Sequence, residues 1–308
     1  MAVLNNLLIK IRSKYILKQL VDNLKERKLL EMIRYNKNLQ SKLKKGLKNY
    51  IKEYQNIEIE IIPEENIYGN FISIPKKYKS YYHFYFNNDN KEIKENKIYG
   101  DEKVSKIKIV LENKIKSLHK LFYKCECIHK IKFIKFNRSD IEDMSYMFYG
   151  CSSIKEINFL NFNTNKVTNI SFMFYLCSSL EELNLSKFNT NNVTDMSHMF
   201  KECWSLKELN LSNFNTNKVS DMNRMFYLCS SLKELNLSNF NTSNVTNMTY
   251  MLGGCSSLKQ LNLSNFDTTK ISIMNNILGD SSNVESLNLS NFKSNNAYLT
   301  KKVKGFFI

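Results

Sequence analysis

The 308 residues are 43% hydrophobic and 24% charged, a composition that excludes a wholly disordered chain. Eight glycines and two prolines exclude a collagen-like or loop-rich chain and favour long runs of regular structure. The formal net charge is +16, but residues 125–292 hold 14 lysines and arginines against 15 acids, so no basic groove for nucleic acid is expected there. Because we find neither a basic region before an N-terminal apolar run nor a bilayer-spanning stretch, we expect a cytoplasmic protein.

Residues 1–54 carry the excess positive charge, with 14 lysines and arginines against 4 acids. An apolar stripe that includes Ile16, Leu20 and Leu24 has helical spacing, and Ser13 can cap its start. We therefore predict a basic helical segment that caps the following repeats or forms a solvated helical domain. The alternatives are weak contact with an anionic membrane and docking to a partner protein.

Residues 55–110 contain alternating stretches such as I-E-I-E-I-I-P and Y-Y-H-F-Y-F, which polar turn residues separate. Such alternation is typical of short strands with one buried face. We predict a small β-rich segment that caps the apolar edge of the first repeat.

A 26-residue repeat extends over residues 111–292, and residues 293–308 are predicted to be a basic tail or cap. Leu232, Leu235 and Leu237 have the strand spacing of leucine-rich repeats, whereas Val245 to Leu252 have the spacing of a helical or 3₁₀ turn. One such coil cannot bury its own apolar edge, so coils must stack. The predicted fold class is an α/β repeat, a leucine-rich-repeat solenoid with parallel strands stacked along one face.

Several phrases of the repeat resemble a known family. F-N-T-S-N-V-T-N-M, M-F-Y-x-C-S-S-L and L-x-L-S-N-F are similar to the repeats of BspA-like leucine-rich repeat surface proteins, over Ile141 to Phe292. The resemblance implies a solenoid that binds or adheres to partners, and it implies the cell surface as an alternative location. Through I-L-K-Q-L-V-D-N-L, the segment 1–54 also resembles the helical box of F-box-like adaptors, which implies an adaptor as a further alternative.

The outward positions of the predicted strands repeat the same polar residues and bring no unlike reactive groups together. We predict a non-enzymatic protein without cofactors that binds protein or glycan partners through its solenoid face. The candidate binding residues are Lys207, Glu208, Asn210, Ser212, Lys233, Glu234, Asn236, Ser238, Lys259, Gln260, Asn262 and Ser264.

Asparagine recurs once per predicted strand, at Asn158, Asn184, Asn210, Asn236, Asn262 and Asn288. Stacked identical amides can satisfy one another's donors and acceptors. We therefore favour a ladder of amides bonded between coils over direct contact with a ligand.

Cysteine also recurs once per coil, and Ser281 fills the next position. The column consists of Cys125, Cys151, Cys177, Cys203, Cys229 and Cys255. Buried thiols, a disulfide ladder and metal ligands are the three interpretations. We favour burial because an intracellular setting keeps thiols reduced, and export of the chain would reopen the disulfide ladder.

The histidines do not predict a reactive site. Cys125, Cys127 and His129 lie close in sequence, but the remaining ligands of a zinc site are missing, so we expect no metal. The other histidines, His83, His119 and His198, have no partnered serine, cysteine or aspartate recurring around them, and we predict no general base among them.

Overall fold

The computed structural model describes residues 55–159, 162–271, 277–279, 281, 283–291 and 293. Within this part of the chain the secondary structure comprises thirteen β-strands and one short 3₁₀-helix. The basic helical segment predicted over 1–54 lies outside the described residues, as does the predicted C-terminal tail after Lys293. Residues Ile57–Ile308 form one compact unit, separate from Met1–Asn56.

The first part of this unit is a small set of strands. Three alternate isoleucines of its first strand, Ile57, Ile59 and Ile61, are fully buried, as the alternating sequence predicts. The elements are β1 (Ile57–Pro63), β2 (Gly69–Asn70), the 3₁₀-helix (Lys76–Tyr81), β3 (Tyr82–Phe86), β4 (Glu92–Ile93), β5 (Lys97–Ile98) and β6 (Ile107–Leu111).

Strand β1 joins these strands to the repeats. It pairs antiparallel with β6 on one side and, on the other, with β7 (Ile128–Phe136), the strand of the first coil. The resulting sheet has the order β4-β3-β6-β1-β7-β8, in which β7 and β8 (Glu156–Asn158) are parallel. The boundary predicted between residues 110 and 111 therefore crosses a single sheet, and β1 occupies the edge of β7 that the repeats leave open.

The remaining strands recur once per repeat and are only two or three residues long. They are β9 (Glu182–Leu183), β10 (Glu208–Leu209), β11 (Glu234–Asn236), β12 (Gln260–Asn262) and β13 (Ser286–Asn288). Parallel pairing is in register at the repeat period, so that Leu235 lies opposite Leu261 and Leu261 opposite Leu287. The predicted stacking of parallel strands along one face is therefore present between the described pairs.

The segments that return the chain to the next strand are turns, and the helical part of the predicted α/β class is wrong for the described repeats. In these segments hydrogen bonds alternate: the Met147 amide donates to Met144 O within the coil (3.3 Å), and the Phe148 amide donates to Met173 O of the next coil (2.9 Å). The alternation places Tyr146 in the left-handed region, at φ 57°. An α-helix would keep these bonds inside one coil, whereas the turns connect neighbouring coils.

The core of the repeats is a continuous column of buried side chains. Leucines of the strands meet valines, methionines and phenylalanines of the return segments. Five phenylalanines stack at centroid distances of 5.5 or 5.6 Å: Phe122, Phe148, Phe174, Phe200 and Phe226. Each is less than 2% exposed, so neighbouring coils share the hydrophobic stabilisation that one coil alone lacks.

Candidate binding face

The candidate binding face is formed by the outward side chains of strands β8 to β12 and the residues that flank them, here called the strand face. Two adjoining grooves cross it, one of about 790 Å³ between Glu156 and Asn213 and one of about 580 Å³ between Lys207 and Asn239. The structure brings eight of the predicted residues to these grooves: Lys207, Glu208, Asn210, Ser212, Lys233, Glu234, Asn236 and Ser238. Lys259 lines a third groove of about 570 Å³.

Ser264 is a wrong assignment, because the residue is only 7% exposed and cannot meet a macromolecule. Its amide donates to Asn262 Oδ1 (3.0 Å), which closes the turn after β12. Gln260 is exposed and Asn262 is half-buried, but neither lines one of these three grooves.

Glutamates occupy the same strand position in four successive repeats, at Glu156, Glu182, Glu208 and Glu234. Glu182 lies opposite Glu208 in register, an arrangement that places like charges side by side and reduces stability. Glu156 pairs with Lys130 (3.1 Å). Among the described residues the other three have no ion pair, so this glutamate row is a band of negative charge across the grooves.

Lysines beside the glutamate row are partly engaged by neighbouring coils. Lys207 Nζ lies 2.5 Å from Glu181 Oε2, and Lys259 Nζ lies 3.0 Å from Glu285 Oε1. The hydrogen bond from Lys207 lowers the pKa of Glu181. All four side chains are more than half exposed, so water weakens these pairs and they leave the lysines able to exchange partners.

The amide ladder predicted for the asparagine column is wrong in the described repeats. Asn210 Oδ1 accepts a hydrogen bond from the Ser212 amide (3.0 Å), and Asn236 Oδ1 accepts one from the Ser238 amide (3.0 Å). These bonds close a turn within one coil, as asparagine side chains commonly do two residues before a backbone amide. The column has a structural role, but its described bonds do not join coils.

Two other columns, which the sequence analysis did not single out, do join the coils. Asn239 Nδ2 donates to Leu211 O (3.0 Å) and Phe214 O (2.9 Å) of the preceding coil. A buried threonine column makes reciprocal bonds with the next coil, through Thr164, Thr190, Thr216 and Thr242. Their invariant spacing was visible in the N-F-N-T phrase, but only the structure shows that each side chain meets backbone groups.

The cysteine column is buried, as the sequence analysis favoured. Its six cysteines and Cys127 are all free thiols. Each thiol of the column from Cys151 onward donates to a phenylalanine carbonyl of the preceding coil, as Cys203 Sγ does to Phe174 O (3.1 Å). Ser281 continues the pattern, since its hydroxyl donates to Leu252 O (2.6 Å). Burial raises the pKa of Cys203 to about 12, so the thiol stays protonated and unreactive.

Cys127 and His129 have separate partners. Cys127 Sγ donates to Asn70 O (3.3 Å), whereas His129 Nδ1 lies 2.5 Å from Glu64 Oε2. Within the described residues, histidine, cysteine, aspartate and glutamate do not form a group of three that could hold a metal. The structure uses both side chains to fasten the β1–β2 region to the first coil.

His119, Ser145 and Asp143 meet in space, which the sequence analysis did not foresee. His119 Nδ1 lies 2.7 Å from Ser145 Oγ, and the Ser145 hydroxyl donates to Asp143 Oδ1 (2.6 Å). The hydroxyl proton is thus held by the aspartate, and Ser145 is 3% exposed. A nucleophile needs its base to accept that proton and the acid to orient the base, so this arrangement lacks the order of a catalytic triad.

Most of the repeat region matches one known protein family. Residues 116–234 and 202–306 match the family described as "Mycoplasma protein of unknown function, DUF285". The chain belongs to this DUF285 family. The match confirms the resemblance to BspA-like leucine-rich repeats, and the overlapping matches reflect the repeat period within this DUF285 protein. Comparison with curated proteins gives no match.

One solved structure is similar, the crystal structure of the T. pallidum leucine-rich repeat protein TpLRR. Its sequence is 17% identical, and the superposition covers 62% of this chain and 76% of that chain with a TM-score of 0.34. Separately, no helix within the described residues has the length and apolar character needed to cross a membrane.

Proposed function

We propose that this DUF285 protein is a non-enzymatic interaction protein whose repeats form a leucine-rich-repeat solenoid and whose strand face binds a protein partner. The observation that carries the proposal is the pair of adjoining grooves lined by exposed polar side chains from four successive coils. Side chains that hold no coil together are available to a partner.

The glutamate row defines the partner's chemistry. Glu182 lies opposite Glu208, and Glu234 holds the same position one repeat later; in the described part of the chain none of the three has an ion pair, and each would gain a counter-charge on binding. A partner segment with lysine or arginine side chains supplies it, and complementary charges of this kind accelerate and orient association. Weak contacts repeated at the coil spacing add up through multivalency.

The absence of catalysis is part of the proposal. Repeated columns place identical groups side by side, whereas catalysis needs unlike groups that converge on one reacting atom. The His119 cluster, which comes nearest to this, holds its serine proton on Asp143. A glycan partner, surface adhesion and the F-box-like adaptor stay predictions, and the helical box of the last lies outside the described residues.

Binding of a fluorescein-labelled peptide of alternating lysine and serine, followed by fluorescence anisotropy, tests the strand face. We expect the triple variant Glu182→Gln, Glu208→Gln, Glu234→Gln to weaken binding at least tenfold, on the order of 1.4 kcal/mol, and raised salt to weaken binding to the natural chain. Relief of repulsion should leave the thermal midpoint equal or higher.

The matched control is Glu126→Gln, which removes an exposed carboxylate outside the grooves. An equal loss in the control and the triple variant would show that net charge alone attracts the peptide. Failure of the natural chain to bind the peptide at low salt would also overturn the proposal.

A further inference from the structure

A second face of the repeats consists of the outward side chains of segments 118–125, 144–151, 170–177, 196–203, 222–229 and 248–255, here called the turn face. Its side chains lie in two rows that run from coil to coil. The first row is Lys120, Tyr146, Phe172, His198, Arg224 and Tyr250, and the second is Tyr123, Tyr149, Tyr175, Lys201, Tyr227 and Gly253.

Several rings in these rows stack face to face, whereas Tyr149 and Tyr175 meet edge to face at 4.7 Å. Tyr146 stacks on Phe172 at 4.5 Å and Phe172 on His198 at 4.2 Å, both with interplanar angles of 7°. In the second row Tyr123 stacks on Tyr149 at 4.8 Å. A ligand therefore meets ring edges and hydroxyls, and because ring edges carry the positive part of the aromatic quadrupole, they favour acceptor groups over another stacked ring.

The repeat pattern breaks on the turn face in one coil, Met196 to Trp204. His198 and Lys201 replace the aromatic residues of the two preceding coils, and Glu202 stands where neighbouring coils have leucine or glycine. Trp204 occupies a position that is serine in five other repeats, and it is 46% exposed at the corner where the turn face ends. Four outward departures in one coil mark a place where the surface is specialised.

The cations at this place differ in their partners. Lys201 is held, since its Nζ lies 3.2 Å from Glu202 Oε1 and 4.5 Å above the Tyr175 ring. Arg224 packs on Tyr250 at 5.2 Å and donates to Asn223 Oδ1 (3.1 Å). In the described part of the chain the Arg224 guanidinium has no carboxylate partner.

His198 adds a donor next to Arg224. Its Nδ1 is buried without a hydrogen-bond partner. Burial, with smaller contributions from Lys201 and Arg224, lowers the pKa of His198 to about 4, so the ring is neutral at pH 7. Because a buried N–H without an acceptor is rarer than a buried acceptor without a donor, the tautomer with the proton on Nε2 is favoured. In this tautomer His198 Nε2–H and the Arg224 guanidinium offer donors from adjacent coils.

We propose that the turn face around Met196 to Trp204 docks an acidic peptide segment of a protein partner, with a carboxylate on Arg224 and His198 Nε2 and with Trp204 packing beside it. Tyrosine, tryptophan and arginine are the residues that dominate protein interfaces, and they concentrate on this face. The nearby carboxylates have partners other than Arg224: Glu202 pairs with Lys201, and Asp221 accepts the Asn223 amide (2.7 Å). Asp195 likewise accepts the Ser197 amide (2.9 Å). This site is independent of the strand face.

Anisotropy with a fluorescein-labelled peptide of alternating aspartate and serine tests the site, with the asparagine–serine peptide as reference. We expect the natural chain to prefer the aspartate peptide, and Arg224→Gln and Trp204→Ser each to weaken that binding about tenfold. Serine at 204 restores the repeat consensus, so the variant should melt at the same temperature as the natural chain.

Lys166→Gln is the matched control, because it removes one exposed positive charge outside the turn face. Equal binding of the two peptides, or equal losses in Arg224→Gln and Lys166→Gln, would overturn the proposal. The triple glutamine variant of the strand face should retain the aspartate peptide, and Arg224→Gln should retain the lysine peptide. Loss of the aspartate peptide in the triple variant would assign it to the strand face and overturn the turn-face site.

Discussion

The strand face and the turn face of the same coils use their polar groups differently. On the strand face, side-chain amides such as Asn236 Oδ1 close turns within one coil, and the strands pair over only two or three residues. On the turn face, alternate backbone amides donate to the next coil, as Phe200 does to Met225 O (2.9 Å), and aromatic rings stack beneath and beside them. Both sides therefore join the coils through backbone bonds, and the turn face adds a stack of aromatic rings.

The difference teaches where function can be sought in a repeat protein. A column that joins coils is constrained by its neighbours on both sides, and a departure from the repeat there disturbs packing unless it brings a compensating contact. The departures at His198, Lys201 and Glu202 lie on this constrained side. On the strand face Asn239 also joins coils, but Glu182, Glu208 and Glu234 have no ion pair with a neighbouring coil among the described residues, so this row is informative through the charge it accumulates.

Removing a ring from the phenylalanine column should have the largest effect on this contrast. Phe200 lies between Phe174 and Phe226 at 5.6 Å on each side and is fully buried. We expect Phe200→Ala to lower the free energy of unfolding by about 3–5 kcal/mol, because a central cavity opens and two rings lose a partner. Urea unfolding followed by circular dichroism measures the change.

Glu208→Gln on the strand face of the next coil is the comparison variant. It should change the free energy of unfolding by less than about 0.5 kcal/mol. Similar decreases in the free energy of unfolding for Phe200→Ala and Glu208→Gln would contradict the larger stabilisation that we assign to the phenylalanine column.

Much of this contrast could be read from the sequence. The period and the inward leucines follow from spacing alone, because the same residue returns to the same environment in every coil. Burial of the cysteines was favoured because an intracellular setting keeps thiols reduced. The return segments were predicted as helical or 3₁₀ because Val245, Met248 and Met251 have three-residue spacing, and successive turns produce the same spacing. Only the bonds to the next coil separate the two structures.

The sequence predicted which side of the repeats carries the candidate site, but not which hydrogen bonds each of its side chains makes. Asn236 and Asn239 are both asparagines of one strand region, yet the first closes a turn and the second reaches the preceding coil. Ser264 was predicted to be exposed by analogy with Ser212, but it is buried near the last described coils. Which asparagine joins coils depends on chain direction after the strand, which residue spacing does not encode.

Another prediction concerns Asp140, which lies shortly before the turn-face segment 144–151. The Arg138 side chain is 1% exposed and makes two hydrogen bonds with Asp140, at 2.7 and 3.0 Å. Asp140→Asn leaves a buried guanidinium without its counter-charge, and we expect a loss of about 3 kcal/mol, measured by urea unfolding at pH 7. Glu142→Gln, an exposed neighbour, serves as the control.

The same pair predicts a dependence on pH. Burial raises the pKa of Asp140, but hydrogen bonds from Arg138 and Lys116 outweigh burial and lower it to about 2. Since the pKa in the unfolded chain is about 3.9, the pair stabilises fully above that value and its contribution is lost as the pH falls towards 2. The stability difference between the natural chain and Asp140→Asn should therefore shrink over this interval. A difference that stays constant between pH 5 and pH 2 would contradict the role of the ionised carboxylate.

The smallest expected effects separate the threonine column from the asparagine column. Thr216 Oγ1 donates to Asn241 O (2.9 Å) and accepts from the Asn241 amide (2.8 Å), so Thr216→Val leaves two backbone groups of the next coil without that partner. We expect a loss of about 1–3 kcal/mol, because valine keeps the shape and removes only the hydroxyl. Asn236→Ala, which removes an exposed bond within one coil, should lose no more than about 1 kcal/mol. Urea unfolding of both variants measures the order, and a larger loss for Asn236→Ala would contradict the greater contribution assigned to the threonine column, which joins coils.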